Sequence, residues 1–157
     1  MAISASTWRA RGNINPSRFV KIDTSSDFGV LQCGAGERTV GIVPDGTKYP
    51  VVDAGFGSGA STVYAENGDP VRVFTSGEEC LLEVNNAGTG AAPAISPGDF
   101  LISDANGRGI KWTTNNGSGG QTADTPSFIG AVALEAPSSG LSVAVIRVMV
   151  AYFSHTP

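Results

Sequence analysis

Leu141-Ser-Val-Ala-Val-Ile-Arg-Val-Met-Val-Ala-Tyr-Phe153 lies in the longest stretch of the chain free of glycine and proline, so it is where a helix has to be weighed. Val143, Val145, Ile146, Val148 and Val150 argue against one, because β-branched side chains lose χ1 freedom against the preceding helical turn. The segment is expected to be a long, largely buried strand. Upstream, short runs rich in Val, Ile, Phe and Thr alternate with Gly, Pro, Asn and Asp, the punctuation of an antiparallel β protein. The candidate strands are Phe19–Asp23, Gly29–Gln32, Thr39–Val43, Val51–Asp53, Val71–Thr75, Cys80–Val84, Phe100–Ser103, Gly109–Thr113, Phe128–Leu134 and Leu141–Phe153.

Composition agrees. Twenty-one glycines and nine prolines in 157 residues, with only 15% charged, favour short strands and tight turns over long helices. The expected fold is all-β, a compact antiparallel β-barrel or β-sandwich.

One supersecondary unit occurs twice. Phe19-Val-Lys-Ile-Asp-Thr-Ser-Ser-Asp-Phe-Gly-Val-Leu31 resembles Phe100-Leu-Ile-Ser-Asp-Ala-Asn-Gly-Arg-Gly-Ile-Lys-Trp112, each an extended run, a polar turn and a second apolar run. Each reads as a hairpin. Gly41-Ile-Val-Pro44 follows the first and Gly130-Ala-Val-Ala133 the second, which also carries a Gly-Ser-rich excursion at Asn115–Gly120.

Residues 1–18 have no sustained helical or strand period and are expected to form an extended basic arm ahead of a β domain over 19–157. Net charge is −4, yet residues 1–22 hold Arg9, Arg11, Arg18 and Lys21 without an acid. The remainder is acidic, so the body should repel nucleic acid while the arm seeks an acidic surface. Trp8, Arg9, Arg11, Ile14 and Arg18 are the candidate interface residues, since Trp and Arg are the types most enriched in interface hot spots.

Signals of chemistry are weak. The single histidine, His155, is the third residue from the end of the sequence, a poor place to hold a general base. Gly34-x-Gly36 meets Thr39 where the next glycine of a dinucleotide fingerprint belongs, and no Walker lysine follows a glycine loop. Asp104-x-Asn106-Gly107-Arg108-Gly109 superficially matches a calcium loop, but its twelfth position is Asn115 where a bidentate glutamate is needed. Asn106-Gly107 is instead expected to be a two-residue type I′ turn. Glu78 and Glu79 are adjacent and would face opposite ways on a strand. Cys33 and Cys80 are far apart, without a CxxC spacing, and are expected to be reduced. No charged and apolar leader is seen in residues 1–25, and no run approaches the ~20 apolar residues of a membrane helix. Synthesis in the cytoplasm, no membrane partner, no cofactor and no metal are the expectations.

Four stretches carry a resemblance: Gly36-Glu-Arg-Thr-Val-Gly-Ile-Val43, Gly98-Asp-Phe-Leu-Ile-Ser-Asp-Ala-Asn-Gly-Arg-Gly109, Phe128-Ile-Gly-Ala-Val-Ala-Leu-Glu-Ala136 and Ser142-Val-Ala-Val-Ile-Arg-Val148. Over residues 19–150 the chain resembles the small head-decoration, or capsid cement, proteins of tailed bacteriophages. In that family a Gly-Asp turn leads into a strand, an Asp-x-Asn-Gly hairpin follows, and an Ile-Gly-x-Ala-Leu strand precedes the last strand. The resemblance implies a β-tulip-like subunit, often trimeric, on the outer surface of the virion at junctions between capsomers. Its implied partners are the major capsid protein and other copies of itself, with no catalytic residues. The long arm and the inserts near Gly55–Gly59 and Asn115–Gly120 depart from the shortest members. The competing expectations are a head- or tail-fibre adhesin for host glycans and an all-β hydrolase.

Overall fold

The computed structural model describes residues 8–47, 63–86, 94–113, 127–138 and 141–155, which form ten strands and no helix. These are β1 (Trp8–Ala10), β2 (Phe19–Ile22), β3 (Gly29–Gln32), β4 (Gly41–Ile42), β5 (Pro70–Val71), β6 (Glu79–Asn85), β7 (Phe100–Ser103), β8 (Gly109–Lys111), β9 (Ser127–Ala133) and β10 (Val143–His155). The expected strand at Val51–Asp53 and both inserts lie outside the described residues, as do residues 1–7.

The repeat read in the sequence is a repeat of topology. The first sheet has the order β4-β2-β3-β1-β5; the second has β9-β7-β8-β6-β10 and closes into a barrel because β10 also pairs with β9. Corresponding pairs run in the same sense. β1 lies parallel to β3 as β6 lies parallel to β8, and the other pairs are antiparallel. The first sheet curls toward the same closure: Phe74, just after β5, exchanges backbone hydrogen bonds with Ile42 of β4 at 2.8 and 3.1 Å. Gly41 permits this approach, since a Cβ there would collide with the Phe74 carbonyl oxygen. The expectation of purely antiparallel pairing is corrected at the two parallel ladders.

The arm is corrected from Trp8 onward. β1 is inserted between β3 and β5, the Ile14 side chain is fully buried, and Arg18 is almost so. An extended segment without internal hydrogen bonds gains them by lying between two strands, and Arg11 N–H donates to the Val30 carbonyl at 2.9 Å just beyond the ladder. Deleting residues 2–17 would therefore remove a sheet strand, and the body starts before residue 19.

A recurring turn launches several strands. In Gly34–Glu37, Glu66–Asp69, Thr75–Glu78 and Ser96–Asp99, the carboxylate of the fourth residue accepts the backbone N–H of the first at 2.6 to 2.8 Å. The third residue is always glycine at positive φ, as the second central position of a type II turn requires. Asp69, Glu78 and Asp99 each immediately precede a strand. The β7–β8 hairpin is different from the type I′ turn expected: Gly107 has φ 73°, but Asn106 is not in the left-handed region. Gly107 N–H donates to the Asp104 carbonyl, and Arg108 N–H to Asp104 Oδ1 at 2.8 Å. This is a type I turn followed by a left-handed glycine, the three-residue hairpin solution.

Two cores sit side by side. Ala10, Ile14, Val20, Val30, Val43, Ala65, Val71 and Val73 fill the first sheet, while Leu82, Val84, Leu101, Ala131, Ile146, Val148 and Val150 fill the barrel. Phe19 and Ile42 belong to the barrel's cluster, although their neighbours Val20 and Val43 belong to the other. Successive strand residues face opposite ways, so β2 and β4 form a wall shared by the two cores. The ring of Phe19 lies over Gly130 of β9, where an added Cβ would come within 2.7 Å of it.

Candidate docking surfaces

The residues expected to form one interface are dispersed. Ile14 is a core residue whose N–H donates to the Ala65 carbonyl at 2.9 Å. Arg18 forks onto Glu83 of β6, Nη1 to Oε2 at 2.8 Å and Nη2 to Oε1 at 2.9 Å, with Nη1 also on the Pro16 carbonyl at 3.2 Å. Both are structural. Trp8 is half-buried against the first core. Only Arg9 and Arg11 stay exposed, Arg9 touching the Gly68 carbonyl at 3.4 Å. Asp23 is held below the usual carboxylate range chiefly by hydrogen bonds from Ser25 and Ser26, with a smaller contribution from the Arg11 charge.

Sequence reasoning missed Phe28. It ends the β2–β3 turn with φ 54°, the residue is 59% exposed, and its carbonyl accepts the Arg9 N–H at 2.8 Å. A bulky residue in the left-handed region is a genuine outlier, and such strain concentrates at functional positions. The sequence signal is an aromatic beside glycine at a hairpin tip, Asp27-Phe28-Gly29. Phe28, Arg9 and Arg11 thus make a small aromatic and basic patch on the first sheet.

A second surface is the outside of the barrel. On β10, Ile146, Val148 and Val150 point inward, while Val145, Arg147 and Met149 are exposed. The strand expected to be largely buried is therefore buried on one face only. Register places Met149 between Glu79 of β6 and Val132 of β9, and Val132 beside Phe100 of β7. Arg147 stands opposite Leu81. Phe100 meets Phe153 edge to face, with ring centroids 5.3 Å apart. Contiguous exposed apolar side chains of this kind mark interaction sites on soluble proteins.

Between the two sheets opens a cavity of about 160 Å³ lined by Arg38, Thr39, Phe128, Ile129, Phe153 and Ser154. Arg38 is exposed and has no carboxylate partner among the described residues. Among the described residues no group of three or more His, Cys, Asp or Glu could hold a metal.

Cys33 and Cys80 are buried and unbridged. Burial pushes each thiol up to about 12, with Glu37 adding to the effect at Cys33 and Glu78 at Cys80. At neutral pH neither carries the thiolate that reacts. A thiol reagent at pH 8 is expected to leave the native protein nearly unmodified and to label both cysteines in denaturant without reductant. Rapid labelling of the native protein would show that one of them is reached by solvent.

No family model and no curated protein sequence matches the chain. Three chains of solved structures do. One is the head fibre gp8.5 N base of bacteriophage phi29, 14% identical, with 96% of this chain and 97% of that one covered at a TM-score of 0.49.

Proposed function

We propose that this chain is a non-enzymatic structural protein of a tailed-phage virion that docks on the outer surface of the head and reinforces the shell, as a decoration or cement protein. The observation that carries the reading is where the resembling stretches fall. The Gly98-Asp99 turn leads into β7, the Asp104–Gly107 turn joins it to β8, and with β9 and β10 these make four of the barrel's five strands, while Gly36–Val43 supplies β4, the counterpart of β9 in the first sheet. The motifs thus belong to one architecture and are not scattered turns. Cementing needs no special side-chain chemistry. A protein that binds the assembled shell but not its separated subunits stabilises it by mass action, about 2.7 kcal/mol per site at 100 times Kd.

Phe28, Arg9 and Arg11 are the contact assigned to the shell. Purified protein is expected to co-sediment with heads that lack it. Arg9→Glu with Arg11→Glu should weaken binding at least tenfold, and added salt should weaken the wild-type contact in the same direction. Failure to co-sediment would overturn the decoration reading, and unchanged binding of the double variant would move the contact off this patch. The competing reading, an adhesin module for host glycans, is favoured by one observation: the Arg38 guanidinium, without a carboxylate partner among the described residues, beside Phe128 and Phe153 in the intersheet cavity.

A further inference from the structure

We propose that the outer face of the barrel, formed by β6, β10 and β9, is a contact between two copies of this chain, independent of the surface that meets the shell. The face carries Leu81, Val145, Met149 and Val132, with Phe100 at its margin, and three charged residues, of which Glu83, opposite Val145, is already paired with Arg18, leaving Arg147 and Glu79. Arg147 and Glu79 are both exposed, and neither side chain has an ion-pair partner among the described residues. The nearby Glu135 carboxylate is engaged by the Arg147 backbone N–H at 2.7 Å and makes no ion pair with the guanidinium among the described residues.

The placement of those charges selects the occupant. Arg147 stands opposite Leu81, and Met149 opposite Glu79, so the four residues are corners of one cell of the β6–β10 ladder. Arg147 and Glu79 occupy one diagonal, Leu81 and Met149 the other. A two-fold axis lying in the interface along the Leu81–Met149 diagonal sets Arg147 of each copy against Glu79 of the other. Leu81 and Met149 then each face their own counterpart. An isologous contact requires this reciprocity, in which residue i meets j and j meets i. A uniformly charged partner would satisfy only one of the two charges. Crossing the strands along a diagonal also corresponds to a known way of packing sheets face to face, with strands far from aligned.

The test uses the full chain alone, in sedimentation velocity and light scattering over a range of concentrations. Wild-type protein is expected to reach about twice its 16.0 kDa chain mass. Arg147→Glu and Glu79→Arg should each weaken association at least tenfold, and the double reversal should recover it to within about threefold of wild type. Met149→Glu should remain monomeric. Thermal melts of all variants should match wild type at concentrations where wild type is dissociated, because the altered side chains are solvent-exposed, and wild type should gain melting temperature as concentration rises. A monomer at every concentration, a trimeric mass, association that ignores both single reversals, or a double reversal that recovers nothing would each overturn the proposal. None of these outcomes depends on heads, so failure here is distinguishable from failure of the decoration reading.

Discussion

Phe19→Ala is expected to destabilise the protein by about 3–5 kcal/mol, measured by urea denaturation with fluorescence and circular dichroism as separate probes. Phe19 is among the largest side chains with no exposed surface. It starts β2, the wall between the two cores, and its ring is directed into the barrel's cluster across Gly130. Truncation loses the transfer energy of the ring and leaves a cavity bounded by strands on both sides, which cannot easily collapse. The backbone around it is also fixed. Its N–H donates to the Gly107 carbonyl at 2.8 Å, and its carbonyl accepts the Cys33 N–H at 2.9 Å. Against a total stability of about 5–15 kcal/mol, such a loss would bring the variant near the threshold of folding. Wild type should unfold in one transition by both probes, because the cores share a wall. A loss below about 1 kcal/mol would mean that the intersheet packing around Phe19 is not close.

What the sequence disclosed follows the range of the interaction concerned. Hairpins and turns are local, so Phe19–Gln32 and Phe100–Lys111 are legible from apolar runs around a polar turn, and the unit they share is legible as a repeat. Phe100–Ser103 has the expected bounds to the residue. β1 was not readable because its identity comes from partners far along the chain: Gly29 and Val30 on one side, Pro70 and Val71 on the other. Three residues, Trp8-Arg-Ala10, are too few for a period, and their basic charge suggested a free arm. Arg18 shows the same failure in energetic form. Its arginine was legible as a contact residue, but its partner Glu83 is 65 positions away and inside the same chain. The barrel's outer face had a further obstacle. Alternation on β10 predicts that half of its residues point outward, but the apolar composition of both halves concealed which half faces solvent.

Glu83→Gln is expected to cost about 2–3 kcal/mol, less than the 3–5 kcal/mol of breaking a fully buried pair because Glu83's side chain is 24% exposed. Glu83 lies on β6 of the barrel, and its N–H donates to the Ser17 carbonyl at 2.9 Å, just before Arg18. Both Nη atoms of Arg18 reach its carboxylate, and Arg108 from the β7–β8 hairpin approaches Oε1 at 3.9 Å. One carboxylate therefore faces two guanidinium groups, of which Arg108 has Asp104 as its own partner at 3.2 Å and Arg18 has no other carboxylate among the described residues. Glutamine keeps the shape and one acceptor but leaves the Arg18 charge, 11% exposed, without compensation. Removing the cation as well, as Arg18→Met with Glu83→Gln, should recover part of the loss, since the uncompensated charge is the larger part of the cost. The coupling energy from the double-mutant cycle should be about 1–3 kcal/mol and should change little between low and moderate salt, because partly buried pairs are weakly screened. A coupling near zero, or one that vanishes with salt, would show that the fork is a solvated surface contact and that the two sheets are joined by apolar packing around Phe19 and by backbone hydrogen bonds such as Glu83 N–H to the Ser17 carbonyl, without help from this ion pair.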